Sequence, residues 1–128
     1  MRLLLDTHAL LWWLNDDRRL PVKARKLIAL GSNAVVVSAA SAWEIATKVR
    51  LGKLEIAAEL TADFSSVLAQ EGFESLSISV DHALRAGLLP GPHKDPFDRM
   101  LIAQAQAEGV PILSSDAVFD GYGVRRLW

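Results

Sequence analysis

Four carboxylates, Asp6, Glu44, Asp98 and Asp116, are the residues of this chain whose types and spacing suit chemistry. They come from well-separated segments, and each sits close to a boundary between apolar and polar sequence. The chain has no cysteine, which excludes thiolate zinc sites, disulfide scaffolds and a cysteine nucleophile. Its histidines, His8, His82 and His93, lack the spacing of a histidine metal site, and His82 and His93 read as surface and loop residues. An all-oxygen ligand set selects a hard ion, magnesium or manganese, over zinc. Such a site lowers the pKa of a bound water and clamps phosphate oxygens, which suits phosphodiester hydrolysis.

Each acid also has an ordinary explanation. Asp6 and Asp116 fit helix or turn caps. Asp95-Pro96-Phe97-Asp98 has the form of a capping box, with Pro96 at the first helical position, so Asp95 reads first as the cap and second as a neighbour of the site. Glu44 fits a first-turn acid favoured by the helix dipole. Those explanations leave convergence unexplained. Close carboxylates on one rim repel by up to about 4 kcal/mol per pair at an effective dielectric near 20, and a cation relieves that cost.

The elements that must position these acids follow from pattern. Residues 2–5 read as a buried strand ending at Asp6, and Asp6 or Thr7 caps a helix through Leu14. Pro21 opens a helix to about Leu30, stopped by Gly31. Residues 34–37 form a second buried strand, punctuated by Ser38 and Ser41, and a helix follows over 42–51. Residues 55–70 read as one helix with a soft boundary near Thr61; 73–78 as a weaker strand; 80–86 as a short helix. Residues 87–96 are a loop, 97–108 a strong helix ended by Gly109, and 111–114 and 124–127 the last strands. Apolar strands alternating with helices imply a parallel sheet covered on both faces: a single α/β domain over 1–128. Ligands in such sheets bind beyond the carboxyl ends of the strands, where the four acids fall.

Composition narrows the class. At 51% hydrophobic residues the chain can fill a core without staples. Asp6 breaks the first apolar run before a signal peptide forms, and Asn15 to Asp17 end the next one far short of a membrane span, so a cytoplasmic protein is expected. A net charge of −1 lacks the basic surplus of a nucleic-acid binder. Local cations must then serve, and Lys48, Arg50 and Lys53 form a candidate phosphate-binding ridge beside the acids. Arg99 is placed to pair with a site carboxylate or with RNA, and His8 to touch substrate. The nearly all-apolar stretch Leu10 to Leu14 suggests that Trp12 or Trp13 meets another chain.

Four segments carry a family resemblance: Leu4-Leu-Asp-Thr-His-Ala-Leu-Leu-Trp-Trp13; Ser38 to Lys48 with Leu51-Gly-Lys-Leu54; His93 to Ala103; and Ile112-Leu-Ser-Ser-Asp116. Together and in this order they resemble PIN-domain toxins of the VapC family over almost the whole chain. The resemblance implies a three-layer α/β/α sandwich with a mostly parallel sheet and magnesium-dependent RNA cleavage. It also implies a homodimer and neutralisation by a VapB-type antitoxin. Residue by residue, Asp6, Glu44 and Asp98 match the family's metal-binding acids, Asp116 its more variable fourth acid, and Ser114 a hydroxyl residue near the site. Thr7 lies beside the first of them. Two other readings compete. A phosphoryl-transfer enzyme using Asp6 as nucleophile resembles the haloacid-dehalogenase class, which wants a second aspartate where His8 stands. A non-catalytic RNA-binding module would not need the full acid set.

Overall fold

The structure, a computed structural model, describes residues 1–56 and 58–128. It begins with β1 (Arg2–Leu5), α1 (Thr7–Leu14), α2 (Val22–Ala29), β2 (Ala34–Ser38) and α3 (Ala39–Arg50). Then come α4 (Ala58–Ala62), α5 (Phe64–Glu71), β3 (Glu74–Leu76), α6 (Val80–Leu88), α7 (Pro96–Glu108) and β4 (Ile112–Leu113). A 3-10 helix, Ala117–Tyr122, leads into β5 (Arg126–Leu127). The sheet order is β3-β2-β1-β4-β5, and every pair is parallel.

Alternation along the strands builds the layers. Leu3, Leu5, Val35, Val37 and Leu113 face one side, against Leu10, Ala24, Ile28, Ile45, Leu60 and Leu68. Leu4, Val36 and Ile112 face the other, against Leu101, Ile102, Ala105 and Phe119. Each of the fully buried leucines contributes about 1.5–3 kcal/mol from burial. Strands buried on both faces explain the unbroken apolar runs, and the α/β sandwich read from sequence is the fold observed.

The connections place a switch point at the centre. From β1 the chain steps outward to β2 and β3, then returns across the sheet through α6 and α7 to β4 on the other side of β1. Crevices open where strand order reverses in this way. Asp6 follows β1 and Ser114 follows β4, so both stand at that crevice. The backbone N–H of Asp6 donates to the Leu113 carbonyl at 3.1 Å, fixing the junction.

Several boundaries differ from the sequence reading. Helix α3 starts at Ala39, because the Ser38 side chain caps it, accepting from Ala40 N–H at 2.9 Å. Ser41 is buried inside the helix and accepts from the Thr7 hydroxyl at 3.0 Å. The single helix expected over 55–70 is two among the described residues, α4 and α5, with Asp63 capping the second; Ala57 lies outside the described residues. Helix α6 reaches Leu88, shortening the loop. His82 is buried, not a surface residue: it shares a capping box with Ser79, whose N–H donates to Nδ1 at 3.0 Å.

Trp12 and Trp13 find partners within the chain. Trp12 packs on His8 and Trp128, with the Arg19 guanidinium 5.0 Å from its ring. Trp13 lies against Phe73 and donates its indole N–H to Glu71 at 3.1 Å. Both rings stay partly exposed beside these contacts.

Candidate metal centre

Asp6 is held by both of its carboxylate oxygens. Oδ1 caps α1, accepting from Ala9 N–H at 2.7 Å, and Oδ2 accepts a very short hydrogen bond from the Ser114 hydroxyl. The cap explanation is therefore correct and incomplete. A cap at the surface keeps its solvent, whereas Asp6 is 6% exposed. Burial pushes its carboxyl above the usual carboxylate value, outweighing the hydrogen bonds from Ser114 and Ala9, and repulsion from Glu44 adds to the rise.

Glu44 stands in the second turn of α3, because that helix starts at Ala39. The dipole effect fades within the first turn, so it does not account for an acid here. The side chain is buried, and its Oε2 accepts from Lys48 Nζ at 2.5 Å, one turn along the helix. Lys48, expected as an RNA contact, is in this structure the counter-ion of a site acid.

Asp98 lies in the first turn of α7, while Asp95 before it is the true cap, accepting from Phe97 and Asp98 N–H at 2.9 and 3.0 Å. Oδ2 of Asp98 stands 2.8 Å from His93 Nε2. Burial raises the Asp98 carboxyl; the His93 hydrogen bond opposes the rise, and Asp95 and Glu44 reinforce it. His93 does lie in the loop before α7, yet its ring reaches the acid. The signal was its place at the start of the run His93 to Asp98, five residues before the acid.

Asp116 differs from the other three. It is exposed and caps the 3-10 helix, accepting from Val118 N–H at 3.0 Å. Its own N–H donates to Ser114 Oγ at 3.0 Å, so Ser114 links the turn of Asp116 to the carboxylate of Asp6. Arg126, not singled out from sequence, donates to the Ser114 carbonyl at 3.2 Å and brings a cation near Asp116.

Arg99 does not reach an acid. Its guanidinium donates to the carbonyls of Ala86 and His93, at 3.3 and 2.9 Å, and by a very short bond to that of Leu89. It fastens the loop that carries His93. His8 is exposed at the start of α1 and engages Trp12. Arg50 and Lys53 are exposed and enter no ion pair among the described residues. An open cleft of about 940 Å³ between Leu89–His93, Gln106 and the 3-10 helix meets the site only at His93.

Glu44 thus comes within electrostatic reach of both Asp6 and Asp98, the three acids standing on three elements. Among the described residues no three histidine, aspartate or glutamate side chains are grouped closely enough to hold a metal ion as they stand. Lys48 and His93 occupy oxygens that a cation would need. The donor chemistry nevertheless fits a hard divalent ion: the three acids offer only oxygens, and burial disfavours the ionised forms of Asp6 and Asp98.

The sequence matches the PIN domain family over residues 3–124. No curated protein matches it significantly. Among solved structures, it is similar to a chain of VapBC2 from Rickettsia felis bound to a promoter DNA fragment. That match has a TM-score of 0.73 and 15% identity, covering 99% of this chain and 98% of that one. It is also similar to a chain of DNA-bound VapBC from Salmonella typhimurium, with a TM-score of 0.72, 17% identity, and coverage of 99% and 97%. VapC20 from Mycobacterium tuberculosis, a Sarcin-Ricin loop cleaving toxin, matches with a TM-score of 0.68, 15% identity and 95% coverage of each chain. At such identities the likeness is one of fold.

Proposed function

The chain belongs to the PIN domain family, whose members are typically nucleases, and from that membership we propose that it is a magnesium-dependent ribonuclease. We read it as the toxin half of a VapBC-type toxin–antitoxin pair. The observation that supports the reading is that Glu44 acts on both Asp6 and Asp98, whose carboxyls burial raises, with Asp6 at the switch point of a parallel sheet.

In this reading Asp6, Glu44 and Asp98 hold the cation, with Asp116 at the rim as a fourth acid. Magnesium, or manganese in its place, supplies an activated water and offsets phosphate charge. The chain's own residues do the rest. Ser114 orients the Asp6 carboxylate, Asp95 starts the helix that presents Asp98, and Thr7 with Ser41 ties α1 to α3 beneath the acids. Lys48 pairs with Glu44 and His93 hydrogen-bonds Asp98, contacts that a bound cation would displace. Arg50 and Lys53 supply cations for the RNA backbone that the net charge of the chain does not. Neutralisation follows if a VapB-type antitoxin covers the acidic rim with a basic side chain, and the toxin works as a cytoplasmic homodimer.

Asp98→Asn tests the ligand role. The substitution keeps shape and removes a charge whose burial is unfavourable, so in chelator the variant should melt no lower than wild type. Magnesium at a hundred times its Kd stabilises a folded state by about 2.7 kcal/mol, and it should stabilise the variant far less. Cleavage should fall by orders of magnitude. A variant that melts lower in chelator yet cuts RNA at the wild-type rate would refute the role.

A further inference from the structure

Trp43 is 54% exposed, while the other three tryptophans are more deeply covered. An indole on a helix surface loses favourable burial, so its setting is informative. Trp43 precedes Glu44, and Phe97 precedes Asp98. The two rings meet edge to face with centroids 4.7 Å apart, at 76°. This contact bridges α3 and α7, the two helices that present those acids, and it fixes the orientation of the indole before anything binds.

The same strip of α3 carries a cation. Residues at i, i+3 or i+4, and i+7 share a helix face, so Trp43, Ala46, Thr47 and Arg50 form one stripe. Ala46 and Thr47 keep it low between the ends. Arg50 lies about 10 Å along the axis from Trp43, is exposed, and enters no ion pair among the described residues. An exposed indole on the helix that also carries Glu44, held by the residue before Asp98 and with a cation further along, complements a strand that offers bases and phosphates in turn.

We propose that Trp43, braced by Phe97, is a stacking platform for an unpaired base of single-stranded RNA lying next to the bond cut at the acids, with Arg50 taking a phosphate further along the strand. The inference rests on the ribonuclease reading and deepens it by naming the side chain that would receive a base. A duplex keeps its bases stacked on one another and offers the indole no face, so the platform selects unpaired segments.

The probe is a set of single-stranded RNA decamers carrying 2-aminopurine at each position in turn, with wild-type protein in chelator so that the RNA stays whole. One or two positions should be quenched on binding. Trp43→Leu should abolish that quench and weaken binding about tenfold, the scale of one base–aromatic stack. Trp43→Phe should retain most of both, and the matching duplexes should bind no more weakly to Trp43→Leu than to wild type. Equal quenching and affinity in wild type and Trp43→Leu would overturn the proposal. So would a Trp43→Leu protein that loses only self-association, which would assign the indole to an interface between copies of this chain. Absence of magnesium-dependent cleavage by wild type would instead strike the ribonuclease reading, since the quench needs no cleavage.

Discussion

Lys48 gives the clearest case of a residue whose role depends on what else is in the site. Its ammonium meets a buried Glu44 carboxylate at 2.5 Å while its own side chain is 35% exposed. Removing one partner of a buried pair leaves a charge uncompensated, an effect reduced here by the exposure of the lysine. Lys48→Met should therefore lower stability in chelator by about 1 kcal/mol. Because the competing cation is gone, magnesium should restore more stability to the variant than it adds to wild type. Melting curves with and without magnesium read both effects, and a variant that magnesium rescues no better than wild type would contradict the counter-ion role. Asp6, Asp98 and Asp116 were legible as candidates in the sequence, since they stand after a strand or open a helix, and Glu44 by its place in the helix after the second strand. Their internal partners were not. Lys48 had the spacing of a helix pair, one turn from Glu44, but cations also suit a helix C-terminus, and only the fold brings His93 back onto Asp98.

Among the elements, the α6–α7 connection depends on one side chain. Arg99 donates to three carbonyls, of Ala86, Leu89 and His93, which no other described side chain satisfies in its place. Arg99→Ala leaves those acceptors without their fork and should cost about 2–3 kcal/mol. Amide exchange over residues 88–94 should quicken, and Arg99→Lys should recover little, because a point donor cannot span the three acceptors. Unchanged exchange in Arg99→Ala would remove this account of the loop. Strand and helix identities were readable because apolar runs, Pro96 and Gly109 mark them directly. Boundaries at Ser38 and Asp63 were not, since a serine or aspartate between apolar stretches signals a stop and a cap equally well. That ambiguity moved the start of α3 and with it the depth of Glu44 in the helix.

Over the whole molecule, raised site carboxyls and lowered surface ones make opposite contributions to stability against pH. Asp6 and Asp98 hold protons more tightly folded than unfolded, so in chelator stability should rise as pH falls from neutral through their raised values towards 3.8. Asp17, held at about 2 by Arg19, and Asp120, lowered by Arg126, favour the folded state only while ionised; their share is lost as pH falls below 3.8 through their lowered values. Saturating magnesium should reverse the first trend, because bound acids resist protonation. Melting temperatures between pH 7 and pH 4 measure this, and Asp6→Asn should flatten the rise in chelator; an unchanged rise would mean that Asp6 does not carry it. At this scale the sandwich was legible from the alternation of apolar strands and helices, whereas strand order and its switch point depend on contacts that no local pattern records. The central claim, hydrolysis of RNA at a cation held by these acids, is tested most directly by the ends that cleavage leaves. With magnesium, purified wild-type protein should cut RNA to 5′-phosphate and 3′-hydroxyl ends, and excess chelator should stop it. Cleavage that persists in chelator, or that leaves 2′,3′-cyclic phosphates, would contradict the account.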